Sequence, residues 1–439
     1  MTYAEAVARL TALRGGEHAG MRPGLERIDG LLGALGHPET RYALVQVGGT
    51  NGKGSVAVML AAMLTSAGRR VGLYTSPHLV SFRERIRVDG EPIGEDGVAD
   101  GVEALGTLIA RFDATMFEAT TALALDHFAR ESVEVAVLEV GLGGRLDATT
   151  VGRPVATALA RIDLDHESVL GPTLARIAVE KAAIIRSGVA FSAAQAPAAA
   201  AIVVERAAVA GVPLRLEGRD LQVVVRSRTR GGQVIDCRGP GWEVAGLHLP
   251  LLGSFQPSNA LLAVAVAREL GVDEAAIRRG VERVRWPGRF QVIGREPTFV
   301  LDGAHNPAAA QALATSLREV FGGEPVTVVL GVSGDKDARG ILAALAPVAR
   351  RLILTRASNP RAAAPSDLRR QAPPTIETVE TAPSVREALA LATEAPTTPI
   401  VCVTGSLFLV GEALVALGAR GDKPCPVGKG ADSIEFLFS

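Results

Sequence analysis

A lysine inside a glycine-rich turn is the most informative feature of the chain. Gly49-Thr50-Asn51-Gly52-Lys53-Gly54-Ser55 follows the apolar run Tyr42–Val47 and precedes a stretch rich in Ala, Val, Met and Leu. Glycines let backbone N–H groups curl around phosphate oxygens, a helix start adds positive potential, and lysine reaches the terminal phosphates of a nucleotide. The spacing departs from the strict P-loop: Gly-x-x-x-Gly-Lys is one residue short, and Gly54 stands where Ser or Thr would follow the lysine. Glu139 ends another apolar run and is followed by Gly141-Leu142-Gly143-Gly144-Arg145-Leu146-Asp147. A carboxylate so placed can reach a metal held against phosphates. Asp163-Leu164-Asp165-His166-Glu167 is a further polar cluster after a strand-like run.

Lysine is rare here. Of 46 basic residues only Lys53, Lys181, Lys336, Lys423 and Lys429 are lysine, and asparagine is limited to Asn51, Asn259, Asn306 and Asn359. Arginine cannot supply a compact ammonium on a thin stem, or an amine able to lose its proton. Lys181 belongs to Val179-Glu180-Lys181-Ala182-Ala183-Ile184, and its residue type alone does not disclose its task. Farther on, Trp286-Pro287-Gly288-Arg289 is followed by Leu301-Asp302-Gly303-Ala304-His305-Asn306-Pro307, a strand end, polar turn and helix start. Gly331–Asp337 and Thr404-Gly405-Ser406 repeat the pattern after later apolar runs. Three such turns predict one functional rim.

The elements that must position these residues alternate strand and helix. Apolar runs at Tyr42–Val47, Val71–Tyr74, Val135–Val140 and Val155–Ala160 are continuous rather than alternating. That predicts strands buried on both faces in a mainly parallel, helix-covered sheet. Residues 212–251 carry short Val-rich pieces, Arg/Gly turns and Trp242, which predicts a small antiparallel excursion. The βα rhythm restarts at Thr298–Asp302. The fold class expected is α/β: a P-loop-type, phosphate-binding domain over 1–295, a smaller Rossmann-like α/β domain over 296–420, and a loose tail over 421–439.

Composition narrows the classes further. With 439 residues, 46 basic against 47 acidic and a net charge of -1, no global field favours nucleic acid or an anionic membrane. Cys237, Cys402 and Cys425 are too few and too scattered for a disulfide framework. The first ten residues lack the apolar core of a signal peptide, and no apolar run reaches the ~18–20 residues of a membrane helix. The expectation is a cytoplasmic protein.

Taken together, the motifs resemble the folylpolyglutamate synthase and dihydrofolate synthase family of the Mur ligase superfamily. The resemblance runs from Gly24-Leu25-Glu26-Arg27-Ile28 to Thr404-Gly405-Ser406. It includes GTNGKGS (49–55), TSPHL (75–79), ERIRV (84–88), FEATT (117–121), EVGLGGRLDAT (139–149) and DLDH (163–166). EKAAI (180–184), LLGSFQPSN (251–259), WPGR (286–289), LDGAHN (301–306) and DKD (335–337) complete it. Thr150 departs from the pattern, where the family usually carries asparagine.

The resemblance implies an ATP-dependent carboxylate–amine ligase. A carboxylate of dihydropteroate or a reduced folate would take the γ-phosphoryl group, and L-glutamate would displace phosphate from the acyl phosphate. It implies that Thr50, Asn51, Gly52, Lys53, Gly54 and Ser55 cradle ATP, with Asn259, Arg289 and Asp302 also contacting the nucleotide. Ser76, Glu139 and His166 would hold Mg2+. Lys181 matches a family lysine that is carbamylated, and Lys53, Lys181, His166 and His305 would be catalytic. Arg85, Phe117 and Thr121 would face the pterin, and His305 and Ser406 would grip glutamate. The family implies a monomer. A cell-wall Mur ligase is the nearest rival, but it would carry an additional N-terminal UDP-binding domain, for which a phosphate loop starting at residue 48 leaves no room. A P-loop kinase without ligase activity gives no account of the second α/β domain or of LDGAHN.

Overall fold

The computed structural model describes residues 1–14, 22, 24–294, 296–394 and 397–418. Lys423, Cys425, Lys429 and the tail expected at 421–439 lie outside them. Eight strands form the first sheet: β1 (Ala43–Gly48), β2 (Val71–Tyr74), β3 (Ile86–Val88), β4 (Glu91–Pro92), β5 (Val135–Glu139), β6 (Ala156–Leu159), β7 (Val189–Ser192) and β8 (Leu214–Leu216). Their spatial order is β4-β3-β2-β5-β1-β6-β7-β8. Pairing is parallel from β2 through β8, with β3 and β4 added antiparallel at one edge. Every residue of β2, β5 and β6 is buried, as continuous apolar runs demand of strands covered on both faces.

The helices on this sheet approach closely where small residues allow it. Lys53–Ser66 packs against Gln256–Glu269 and Glu274–Arg283. A Cβ on Gly280 would stand 2.5 Å from the Met63 Cα, so glycine there lets the two helix backbones nearly touch. The expected excursion is β9 (Gln222–Thr229), β10 (Gly232–Gly239) and β11 (Trp242–Leu249), a separate sheet in the order β11-β10-β9. Two-residue connections between its strands make it antiparallel. It begins later than residue 212, because Leu214–Leu216 joins the main sheet in parallel as β8.

A third sheet holds β12 (Gln291–Ile293), β13 (Thr298–Leu301), β14 (Val326–Leu330), β15 (Ala349–Leu354), β16 (Thr378–Thr381) and β17 (Ile400–Thr404). Its order is β12-β13-β17-β14-β15-β16, parallel except for β12 at the edge. The chain separates into two compact units: Met1–Arg226 with Val234–Leu249 and Phe255–Val284, and Ser227–Gln233 with Pro250–Ser254 and the chain from Arg285 onward. The main segment of the second unit thus starts at Arg285, ahead of the boundary expected near 295, and carries β12, which pairs with β13. Each unit has its own core, one around Tyr74, Phe128 and Leu123, the other around Phe290, Phe321 and Leu252.

Candidate active site

In the first unit the chemically distinctive residues gather where four neighbouring parallel strands end. Gly49–Gly52 leaves β1, Thr75–Ser76 leaves β2, Glu139 closes β5, and Arg161–His166 follows β6. The carboxyl edge of a parallel sheet is where open α/β folds bind ligands, because helix N-termini and connecting loops converge there.

The glycine turn owes its shape to two backbone positions. Gly49 has φ 129° and Gly52 φ 96°, conformations that disfavour side chains. A Cβ on Gly49 would sit 2.9 Å from the backbone C and O of Ala160. The amides of Thr50 and Asn51 both donate to Arg161 O, at 2.8 and 3.2 Å. Their side chains latch to Asp163: Thr50 Oγ1 donates to its carbonyl and accepts from its amide, both at 3.0 Å, and Asn51 Nδ2 donates to its carboxylate at 3.0 Å. The first two residues of the turn therefore anchor it, and the cradle that could meet an anion narrows to the helix start at Gly52–Ser55, where amides lack intrahelical carbonyls. Lys53 Nζ donates to Thr50 O at 3.0 Å, lying back over its own turn.

Beneath the turn, helix Gln256–Glu269 supplies support that motif reading singled out only in part. Gln256 Nε2 donates to Ser55 Oγ at 3.2 Å, and Asn259 Nδ2 donates to Gln256 Oε1 at 3.1 Å. Asn259 is buried with its Oδ1 where a Gly52 Cβ would be, 2.3 Å away. Gln256 was legible only as a polar residue three positions before Asn259, on the same helix face.

Lys181 is a buried lysine, 4% exposed, whose Nζ donates to Gly49 O at 2.9 Å. Glu139 Oε2 accepts from the Ser76 amide at 3.1 Å, which joins the ends of β5 and β2. His166 has φ 52° and stands at the N-cap of the short helix Glu167–Leu170; its amide donates to Asp165 Oδ1 at 2.8 Å. Among the described residues no group of three His, Cys, Asp or Glu side chains forms a metal cage. A glutamate, a serine and a histidine at one sheet edge suit magnesium, which keeps waters and takes few protein ligands beside substrate phosphates.

The loop after Glu139 is built around Asp147. Its Oδ2 accepts from Leu142 N at 2.8 Å, and its Oδ1 accepts from Thr149 N at 2.9 Å and Thr149 Oγ1 at 2.6 Å. Burial pushes the Asp147 carboxyl above its ordinary value, against these hydrogen bonds. Thr150, the departure from the family pattern, donates to Gly144 O at 2.7 Å and accepts from Gln46 Nε2 at 2.7 Å, tying the loop to β1.

The residues expected to face a pterin form two layers. Arg85 is buried; its Nε donates to His78 Nδ1 at 2.9 Å and its guanidinium lies 5.6 Å from the Phe82 ring centroid. Burial, then the Arg85 charge, depresses His78 to about 3, so its ring is a neutral acceptor. The Phe117 ring packs where a Gly141 Cβ would be and lies 6.0 Å from Tyr74, centroid to centroid. Thr121 is fully buried, donating to Phe117 O at 2.8 Å and lying 3.2 Å from the Tyr74 hydroxyl, so it stands behind Phe117. The FEATT glutamate is structural: Glu118 pairs with Arg27 at 2.9 Å and closes a capping box with Thr115.

In the second unit, the three turns expected to form a rim leave adjacent parallel strands, β13, β17 and β14. Asp302 accepts from Phe290 N at 2.8 Å and Ala304 N at 2.9 Å. Burial raises its pKa, while the Arg289 charge opposes the shift. Arg289 lies against Gly303, where a Cβ would meet its NH1 at 2.5 Å. His305 Nδ1 donates to Gly303 O at 2.8 Å, since a carbonyl can only accept. Ser406 starts the helix Leu407–Ala416 without capping it through its hydroxyl, and Gly405, φ 105°, passes so near Gly331 O that a Cβ would be 2.6 Å away. Within DKD, Asp335 pairs with Arg361 and Asp337 caps the helix Ala338–Leu345, so both aspartates serve the fold.

The fold places the chain among the Mur ligases. Residues 47–267 match the Mur ligase middle domain, and residues 288–407 the Mur ligase glutamate ligase domain. The dihydrofolate synthase/folylpolyglutamate synthase of Mycobacterium tuberculosis is 36% identical, with 90% of each chain covered. A crystal structure of the folylpolyglutamate synthase of that organism, complexed with ADP and AMPPCP, superposes with a TM-score of 0.88 at 35% identity, over 95% of this chain and 99% of that one. Escherichia coli FolC in complex with DHPP and ADP superposes at 0.85 and 31% identity, over 96% and 98%. The probable bifunctional folylpolyglutamate synthase/dihydropteroate synthase of Haloferax volcanii is 40% identical over 94% of this chain, and the chain spans 50% of its length. It likewise spans about half of the Halobacterium salinarum relative of the same description. The chain belongs to the folylpolyglutamate synthase/dihydrofolate synthase family, a family of ATP-dependent ligases.

Proposed function

We propose that this chain binds ATP and joins L-glutamate to a carboxylate of dihydropteroate or a reduced folate. The observation that carries the reading is the convergence of the Lys53 turn, Ser76, Glu139, His166 and buried Lys181 at one sheet edge. A carboxylate is a poor acyl donor because oxide would have to leave. Its oxygen attacks the γ-phosphorus, the bond to the β-phosphate oxygen breaks, and ADP departs. The glutamate amine then attacks the acyl carbon and phosphate leaves with the bonding pair. Such chemistry needs positioning and charge neutralisation more than proton transfer.

Gly52–Ser55 offers amides and Lys53 its ammonium to the phosphates. Ser76, Glu139 and His166 would hold magnesium, which when bound supplies charge neutralisation at the phosphates. Carbamylation of Lys181 would turn a buried amine into a carboxylate at the same edge. This accounts for a lysine where the chain otherwise writes arginine, since only a neutral amine adds carbon dioxide. We assign Asn259, Arg289 and Asp302 to the nucleotide, Arg85 and Phe117 to the pterin, with Thr121 as their support, and His305 and Ser406 to glutamate. A cytoplasmic monomer is the form proposed; among the described residues no helix is long and apolar enough to cross a membrane.

The test is phosphate release from ATP with magnesium and glutamate, comparing dihydropteroate, tetrahydrofolate and a muramyl nucleotide as acceptors. Glutamate-dependent release with either pterin acceptor is expected. Release with the muramyl nucleotide alone, or with none, overturns the proposal.

A further inference from the structure

A glutamine lies in the middle of a strand buried on both faces. Gln46 is 2% exposed within β1, between Leu138 of β5 and Thr157 of β6. Burying a primary amide there costs free energy unless its hydrogen bonds are met. Its Nε2 faces two hydroxyls, Thr150 Oγ1 at 2.7 Å and Thr149 Oγ1 at 3.4 Å. Each hydroxyl has committed its own hydrogen elsewhere: Thr150 donates to Gly144 O at 2.7 Å, and Thr149 to Asp147 Oδ1 at 2.6 Å. Both can therefore only accept from Gln46, which fixes the orientation of its amide.

The Thr150 hydroxyl carries that order into the glycine loop. Gly144, its acceptor, presses on the helix that bears Lys181: a Cβ there would stand 2.7 Å from Glu180 O and 3.1 Å from Lys181 O. The next amide, Arg145 N, donates to Glu180 O at 3.0 Å, giving a partner to a carbonyl in the last turn of helix Leu174–Ala182. Three residues before Gly144, Gly141 lies against Phe117, whose ring stands 2.5 Å from where a Cβ would be. One loop thus seats both the aromatic ring assigned to the pterin and the helix turn that carries Lys181. We propose that Gln46 and Thr150 are a positioning pair for ligation. Acting through the Gly144 carbonyl, they fix the helix turn from which Lys181 Nζ reaches Gly49 O at 2.9 Å. The inference rests on the ligase reading, and Thr150 is where this chain departs from the family pattern.

Ligation kinetics of the full chain, run well below the Tm of each protein, test the pair in wild type, Thr150→Val, Thr150→Ser, Gln46→Met and the double variant of Thr150→Val with Gln46→Met. Thr150→Val keeps the shape and loses the hydroxyl, so kcat is expected to fall about tenfold or more. KM for ATP should stay within about twofold, because Gln256 and Asn259 support the Gly52–Ser55 cradle instead. Thr150→Ser should recover most of kcat. Since both residues act through one chain of bonds, the double variant should be no slower than Thr150→Val alone. If Gln46→Met does not fold, Gln46→Asn, polar but one methylene shorter, takes its place. A purely structural role would lower Tm and leave kcat unmoved. Hydrogen exchange at the Arg145 amide reads the positioning without the reaction: it should quicken about tenfold in Thr150→Val and stay slow in Thr150→Ser. Wild type without glutamate-dependent phosphate release sinks the ligase reading, and the exchange measurement then judges the pair. Unchanged kcat in Thr150→Val, unchanged Arg145 exchange, or additive losses in the double variant each overturn the proposal.

Discussion

At the scale of single residues, charge and burial decide what each side chain can do. Lys53 is half-buried and donates to Thr50 O within its own turn, outside the apolar core, so its removal should leave that core intact. Lys53→Ala is expected to lower kcat for ATP-dependent ligation by about 100-fold or more, the size of losing one preorganised electrostatic contact, while the urea midpoint hardly moves. Lys181 differs because it is buried against Gly49 O. Lys181→Arg should be severely impaired, and Lys181→Ala partly restored by a short carboxylate in solution; an active Lys181→Arg enzyme removes the carbamate assignment. His78 makes a pH prediction. Its ring is held near 3 in the fold and titrates near 6.5 unfolded, so the unfolded chain binds the extra proton as pH falls between those values. The contribution of His78 to stability is therefore full above about 6.5 and lost towards 3. His78→Gln should show a flatter Tm profile than wild type across that window.

Elements set the geometry that residues exploit. The turn after β1 holds its shape because Gly49 lies against the backbone of Ala160, which cannot yield as a flexible side chain can. Gly49→Ala should cost about 2 kcal/mol or more in urea unfolding, through strain at positive φ and steric conflict, and should weaken nucleotide binding with it. The loop after β5 depends on both Asp147 oxygens. Asp147→Asn keeps the shape but replaces one acceptor with a donor facing an N–H. A loss of about 1–3 kcal/mol is expected by denaturant titration. The glycine-rich spacing of this loop was visible in the amino-acid order. That Asp147 organises it was not, because an aspartate on a loop reads as solvated until burial is known.

For the whole molecule, the two units are not consecutive in the chain. Ser227–Gln233 and Pro250–Ser254 belong with the unit that starts at Arg285. Leu252 is buried in its core, Ser254 N donates to Ser316 Oγ at 2.9 Å, and Arg228 pairs with Glu319. Leu252→Ala should destabilise this unit by about 2–5 kcal/mol, read as earlier hydrogen exchange in β13, β14 and β17. A fragment starting at residue 285 should be less protected than the same residues in the full chain; equal protection would show that the two short segments are dispensable. No periodicity announces this interleaving, since hydrophobic patterns report local elements and not which core a short connecting segment enters.

Amino-acid order alone determined the alternation of strand and helix, the buried parallel character of the strands, the phosphate-type turn and the family. Those properties rest on local pattern and on residue types that few other chemistries require at such spacings. Tertiary structure alone decided that Thr50 and Asn51 anchor the turn through Arg161 and Asp163, that Gln256 supports Ser55, and that Thr121 meets the Tyr74 hydroxyl. Each is a contact between segments remote in the chain. Hydrogen bonding and burial act through space, and spacing along a sequence carries no record of them.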